Sequence, residues 1–148
     1  MEKTKGEIAK EYFMNGYNCA QAVALAFETE SGLDRDTLLK VSSSFGGGLG
    51  RLREVCGAVS GMSMILGLIY GYTENGNDDA KREHYKRVQE LCNAFKDVNG
   101  SIVCRTLTGL DADGFNPTPR NGEFYKKRPC GELVRSAADI LDDYIKNH

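Results

Sequence analysis

Cys19, Cys56, Cys92, Cys104 and Cys130 are the residues of this 148-residue chain with the widest chemical range. A thiolate is a nucleophile, a redox centre and a metal ligand, and its supply at neutral pH depends on what lowers the thiol pKa. Four of the five fall where a helix is expected to begin. Cys19 follows the capping residue Asn18, Cys104 comes after the expected cap Ser101, Cys130 follows Pro129, and Cys56 lies near the start of an apolar helix that begins as early as Leu52. First-turn N–H groups without intrahelical partners, together with the positive end of the helix dipole, favour an anion at such places. Basic neighbours strengthen the effect: Arg51 and Arg53 before Cys56, Arg105 after Cys104, and Lys126, Lys127 and Arg128 before Cys130. Cys56, with a glycine loop and two arginines beside it, is therefore expected to be the most reactive thiol. Cys92 is flanked by Val88, Leu91 and Phe95 on an apolar helix face and reads as a core residue with a raised pKa.

Two chemistries suit four thiols brought together by folding. They can cycle between dithiol and disulfide, or carry electrons, or they can ligate zinc or an iron–sulfur cluster, with Cys19, Cys56, Cys104 and Cys130 as the ligand set. A third reading makes every cysteine a small core hydrophobe. The chain contains no CxxC, which counts against a zinc ribbon, a thioredoxin-like site and a bacterial ferredoxin loop. The loop Phe45-Gly46-Gly47-Gly48-Leu49-Gly50 is too rich in glycine to continue a regular element. Its Gly47 and Gly48, with Arg51 and Arg53, are candidates for stabilising an anion or a thiolate. It is not a dinucleotide fingerprint, because that motif follows a strand and this loop follows a helix. His84, beside Lys81 and Glu83, is expected to be solvated, and Glu54 reads as surface.

Cys56-Gly57-Ala58-Val59-Ser60-Gly61 reads CGAxxG. With the Gly16-Tyr17-Asn18-Cys19-Ala20-Gln21-Ala22 segment, the Phe45-Gly46-Gly47-Gly48 loop, and the Cys104 and Cys130 regions, it resembles the C_GCAxxG_C_C family of small redox-active proteins. The resemblance implies that Cys19, Cys56, Cys104 and Cys130 are the functional set, that Cys92 is an extra, and that the activity is redox. It implies a redox partner protein or a small thiol or disulfide as the substrate.

The elements that must position these thiols are helices. Thr4 with Glu7 and Asn18 with Gln21 read as capping boxes, Asp34 as a cap, and Asn15-Gly16, Ser31-Gly32 and Asn99-Gly100 as stops. A long amphipathic helix is expected from about Asp79 to Val98. No stretch alternates like a half-buried strand. The fold class expected is all-α: one domain over residues 1–148, a bundle of about six to seven helices around a central glycine-containing apolar helix. Gly57, Gly61 and Gly67 would let neighbouring helices approach it closely. Asp111 to Arg128, with Gly114, Pro117, Pro119 and Gly122, shows no helical spacing and reads as a lid or binding loop. The uncharged stretch from Val55 to Tyr72 is near the lower length of a membrane span, but glycines, serines and tyrosines interrupt it, so no span is expected. The 19 basic and 21 acidic residues balance to a net charge of −2 without runs of one sign, which argues against nucleic acid as a partner. Charged residues through the first segment exclude a signal peptide there, and an odd set of cysteines suits the reducing cytoplasm.

Overall fold

The helix starts follow the caps written in the sequence. In a computed structural model that describes residues 2–148, Thr4 Oγ1 accepts from the Glu7 N–H at the start of α1 (Lys5–Met14). Asn18 and Gln21 form a reciprocal capping box at the start of α2 (Cys19–Ala26). A short α3 (Glu28–Ser31) precedes α4 (Arg35–Ser43), which Asp34 caps through the Thr37 N–H. The apolar α5 (Gly57–Tyr70) is followed by the long α6 (Asp78–Asn99), then by α7 (Cys104–Thr108), α8 (Gly122–Lys127) and α9 (Cys130–Asn147). The architecture is all-helical, with nine helices and one isolated bridge among the described residues. The excess over the expected number lies in α3 and α8, which are too short for helical spacing to register in a sequence. The segment expected to be an irregular loop thus contains α8, capped by the Asn121 side chain on the Phe124 N–H.

The apolar stretch makes a buried helix. α5 packs against α2, α3, α6 and α9, while α1 packs against α2 and α9. Phe13, Phe27, Met62, Ile65, Leu66 and Phe95 are fully buried between them. No helix among the described residues is long and apolar enough to cross a membrane. The contact between α2 and α5 depends on missing side chains. A Cβ at Gly61 would stand 2.7 Å from the Ala20 carbonyl oxygen, and one at Gly57 would stand 2.8 Å from the Phe45 carbonyl oxygen and 3.1 Å from Cys19 Cβ. Gly67 departs from the expectation. A Cβ there would meet only His84 Nε2, at 4.0 Å, so no helix presses against it.

Between α4 and α5 the chain makes a left-handed loop. Gly47, Gly48 and Gly50 have φ of 65°, 72° and 55°, and so do Leu49, Arg51 and Arg53 at 71°, 69° and 61°, where a side chain is unfavourable. The loop closes through Gly50 N–H to Ser44 O, Arg53 N–H to Gly47 O and Glu54 N–H to Gly48 O. Its exit pairs with the segment before α7. Val55 and Val103 form the bridge, with Cys56 N–H donating to Ile102 O at 2.8 Å and Cys104 N–H donating to Glu54 O at 2.6 Å. That pairing fixes Cys56 and Cys104 as neighbours although they are distant in sequence.

Candidate thiol site

Cys19, Cys56, Cys104 and Cys130 line one cavity of about 570 Å³. Cys19, Cys104 and Cys130 are the first residues of α2, α7 and α9, and Cys56 is the residue that precedes α5. Two boundaries differ from expectation. α5 begins at Gly57 rather than near Leu52, because the left-handed loop occupies residues 47–53. α7 begins at Cys104 itself; Ser101 Oγ accepts from the Val103 N–H and so orders the turn before the helix instead of capping it. All five cysteines are free thiols, with Cys56, Cys104 and Cys130 buried and Cys19 half-buried. Cys92 stands apart. It lies on α6 beside an apolar cavity lined by Val59, Val88 and Ile102, half-buried rather than deep in the core, and burial raises its pKa.

The electrostatics favour ionisation at Cys130 over Cys56. Cys130 has its pKa lowered to about 7, first by the neighbouring Cys19 thiol and then, against the cost of burial, by Arg128 and Arg120. Cys19 is correspondingly raised well above the ordinary thiol value, with burial adding to the shift. Cys56 is only 4% exposed, and burial pushes its pKa up to about 12 although the N–H groups of Ala58 and Val59 oppose the shift. Desolvation outweighs the helix terminus there, so the expected lead nucleophile is held in its protonated form at neutral pH.

Neither arginine expected beside Cys56 is among the leading influences on its pKa. Arg51 donates to Asp113 Oδ1 and to Thr118 Oγ1, each at 2.9 Å, fastening the segment after α7 onto the glycine loop. Arg53 is buried, and the leading influences on Cys56 and Cys130 do not include it. Arg105 pairs with Glu54, which is exposed as expected. Lys126 and Lys127 are exposed, and Lys127 pairs with Glu123 at 2.7 Å, so only Arg128 of that basic group bears on Cys130.

Arg120 is a site residue that local reading did not find. Its guanidinium donates to Phe13 O at 3.0 Å and Tyr17 O at 3.1 Å, and it lies 4.3 Å from the Phe13 ring centre. Its sequence signal is only that it is an arginine after Pro117 and Pro119 in the segment that leads to Cys130. His84, expected in solvent, is buried at the start of α6 with its ring 6.1 Å from that of Tyr72; burial and then the Arg87 charge lower its pKa.

No three His, Cys, Asp or Glu side chains among the described residues are grouped so as to hold a metal ion. A tetrathiolate site needs every sulfur at about 2.3 Å from one centre, so the four thiols as they stand are not a ligand cage. Among them Cys19 and Cys130 form a pair whose pKa values are pushed apart, Cys19 up and Cys130 down.

No curated protein matches the chain. No solved structure matches it either. A family model does, and its label writes the motif as GCAxxG where the chain reads Cys56-Gly57-Ala58, with the first two letters exchanged. That match takes in all four cavity cysteines: the chain belongs to the family described as "Putative redox-active protein (C_GCAxxG_C_C)", over residues 17–144.

Proposed function

We propose that the chain works as one unit in thiol–disulfide exchange, with Cys130 as the attacking thiolate and Cys19 as the resolving thiol. The observation that carries this reading is the Cys19–Cys130 pair, in which the thiol of one stabilises the thiolate of the other. Cys130 Sγ attacks one sulfur of a substrate disulfide, and that S–S bond breaks with its electron pair on the second sulfur. Cys19 donates its proton to this leaving thiolate. The Cys19 thiolate so formed attacks Cys130 Sγ, closes the Cys19–Cys130 disulfide and expels the remaining substrate sulfur, which takes a proton from water. The substrate gains two electrons as two thiols, and the protein dithiol loses them. A dithiol-bearing partner protein or a small thiol returns them by the same exchange in reverse. Cys56 and Cys104, which flank the Val55–Val103 bridge diagonally, form part of the cavity wall. Free thiols throughout suit a reducing compartment such as the cytoplasm.

The test begins with metal-free protein reduced without oxygen and mixed with one equivalent of 2-hydroxyethyl disulfide. Peptide mass spectrometry is expected to find a Cys19–Cys130 disulfide, with Cys130→Ser inert and Cys19→Ser arrested as a mixed disulfide on Cys130. A different linkage, no reaction, or stoichiometric zinc or iron bound through these cysteines in protein purified without oxygen would overturn the proposal.

A further inference from the structure

We infer that the Arg53 end of this cavity binds a carboxylate, so that the disulfide delivered to Cys19 and Cys130 is a small acidic one. The inference rests on the thiol-exchange reading for its substrate but on separate observations for its site. Arg53 is 3% exposed, yet its Nε and Nη2 have no hydrogen-bond partner. The carboxylate that faces it, Asp113 Oδ1, stands 3.9 Å from Nη2, beyond hydrogen-bonding distance, and is already engaged by Arg51 at 2.9 Å. Burying charged donors without an acceptor is among the costlier arrangements a fold can hold. Here it occurs on a residue whose φ of 61° is itself strained, a combination that points to function.

The geometry of the free donors names the ligand. Nε–H and Nη2–H lie on the same edge of the guanidinium and form a fork that matches the two oxygens of a carboxylate. The rest of the cavity agrees with an anion. Arg51, Arg53, Arg120 and Arg128 line it, and among the described residues no aspartate or glutamate does, in a chain whose net charge is −2. Gly46, Gly47 and Gly48 also line it, and the donors of the loop's backbone hydrogen bonds are the N–H groups of the six residues from Leu49 through Glu54, which leaves those of these three glycines outside that set. A volume of about 570 Å³ suits a small molecule. Arg53 lies at the Cys104 side, since Arg53 Cα and Cys104 Cβ both bound the space beside Gly48. The anion is therefore held by one wall while the disulfide meets the Cys19–Cys130 pair.

The experiment compares 3,3′-dithiodipropionate, 2-hydroxyethyl disulfide and cystamine in single turnovers of the reduced protein. Each rate is divided by that of dithiothreitol with the same disulfide. The dicarboxylate is expected to be favoured over the neutral compound by at least about tenfold, the worth of a charge-assisted hydrogen bond, and cystamine to be disfavoured. Arg53→Gln should bring the first ratio close to one. Because that variant can fail to fold, suberate provides a second measurement. It has two carboxylates and no disulfide, and it should bind the Cys130→Ser protein in calorimetry and inhibit the wild type competitively. Equal normalised rates together with no suberate binding would overturn the carboxylate site and leave thiol exchange standing. Suberate binding without reaction of any disulfide would support the site and overturn the exchange reading. Inorganic phosphate binding where suberate does not would overturn the carboxylate assignment in favour of a phosphoryl group.

Discussion

Cys130 and Cys56 show how two thiols at similar places in helices acquire opposite characters. Each sits where a helix starts, but Cys56 has burial as its largest influence, whereas at Cys130 the influence of the neighbouring Cys19 thiol exceeds the burial cost. Alkylation of the reduced protein with iodoacetamide, followed by peptide mass spectrometry across pH, should therefore show Cys130 titrating near pH 7 and Cys56 unreactive well above it. Cys19→Ala should move the Cys130 midpoint up toward the ordinary thiol range. Arg128→Gln should move it up by less, and Lys127→Gln should leave it in place. An unmoved midpoint in Cys19→Ala would remove the reason for calling the two cysteines a pair. The positions of these thiols at helix starts were legible because caps such as Asn18 are local signals. Their acidities were not, because burial depth and the approach of Arg120 are properties of the folded chain.

The helices bring the thiols together through close backbone approach, and two glycines on α5 test this from opposite sides. Replacing glycine by alanine inside a helix gains about 1 kcal/mol of propensity. At Gly61 the new Cβ would meet the Ala20 carbonyl oxygen at 2.7 Å and Ala20 Cα at 3.2 Å, which are backbone atoms that yield only if α2 moves. Overpacking of this kind costs about 1–3 kcal/mol, enough to cancel or exceed the gain. At Gly67 the nearest neighbour is His84 Nε2 at 4.0 Å, an ordinary contact. Urea unfolding followed by circular dichroism should find Gly67→Ala more stable than the parent and Gly61→Ala less stable. Equal responses would mean that α2 and α5 do not press together at Gly61. The long helices and their ends were readable from spacing and caps, as Asp34 before α4 shows. The Val55–Val103 bridge was not, since a single pair of residues leaves no alternation to read, and neither was α8, which is 6 residues long.

Across the whole molecule a nearly neutral charge count conceals a cavity lined with arginines. The composition records the numbers of charges, but only folding sorts Arg51, Arg53, Arg120 and Arg128 onto one wall system while lysines such as Lys126 and Lys127 stay in solvent. The same sorting makes global stability depend on pH with a definite sign. The folded pKa of Cys130 is about 7 against an ordinary value of 9.0, so between these the unfolded chain holds a proton that the folded chain has released, and stability rises with pH. The slope is at most about 1.4 kcal/mol per pH unit. Above 9.0 the sign changes, because the folded Cys19, Cys56 and Cys92 keep protons that the unfolded chain loses. Below the ordinary histidine value of 6.5, the unfolded chain gains a proton at His84 that burial and Arg87 resist in the folded chain, and stability falls again as the pH drops. Urea midpoints of reduced, metal-free protein should therefore climb from pH 7 toward 9 and decline on both sides of that range. In Cys130→Ser the climb should disappear while the decline at high pH remains. A climb of equal size in that variant would show that the ionisation responsible belongs to another group and that Cys130 is not the thiolate of the pair.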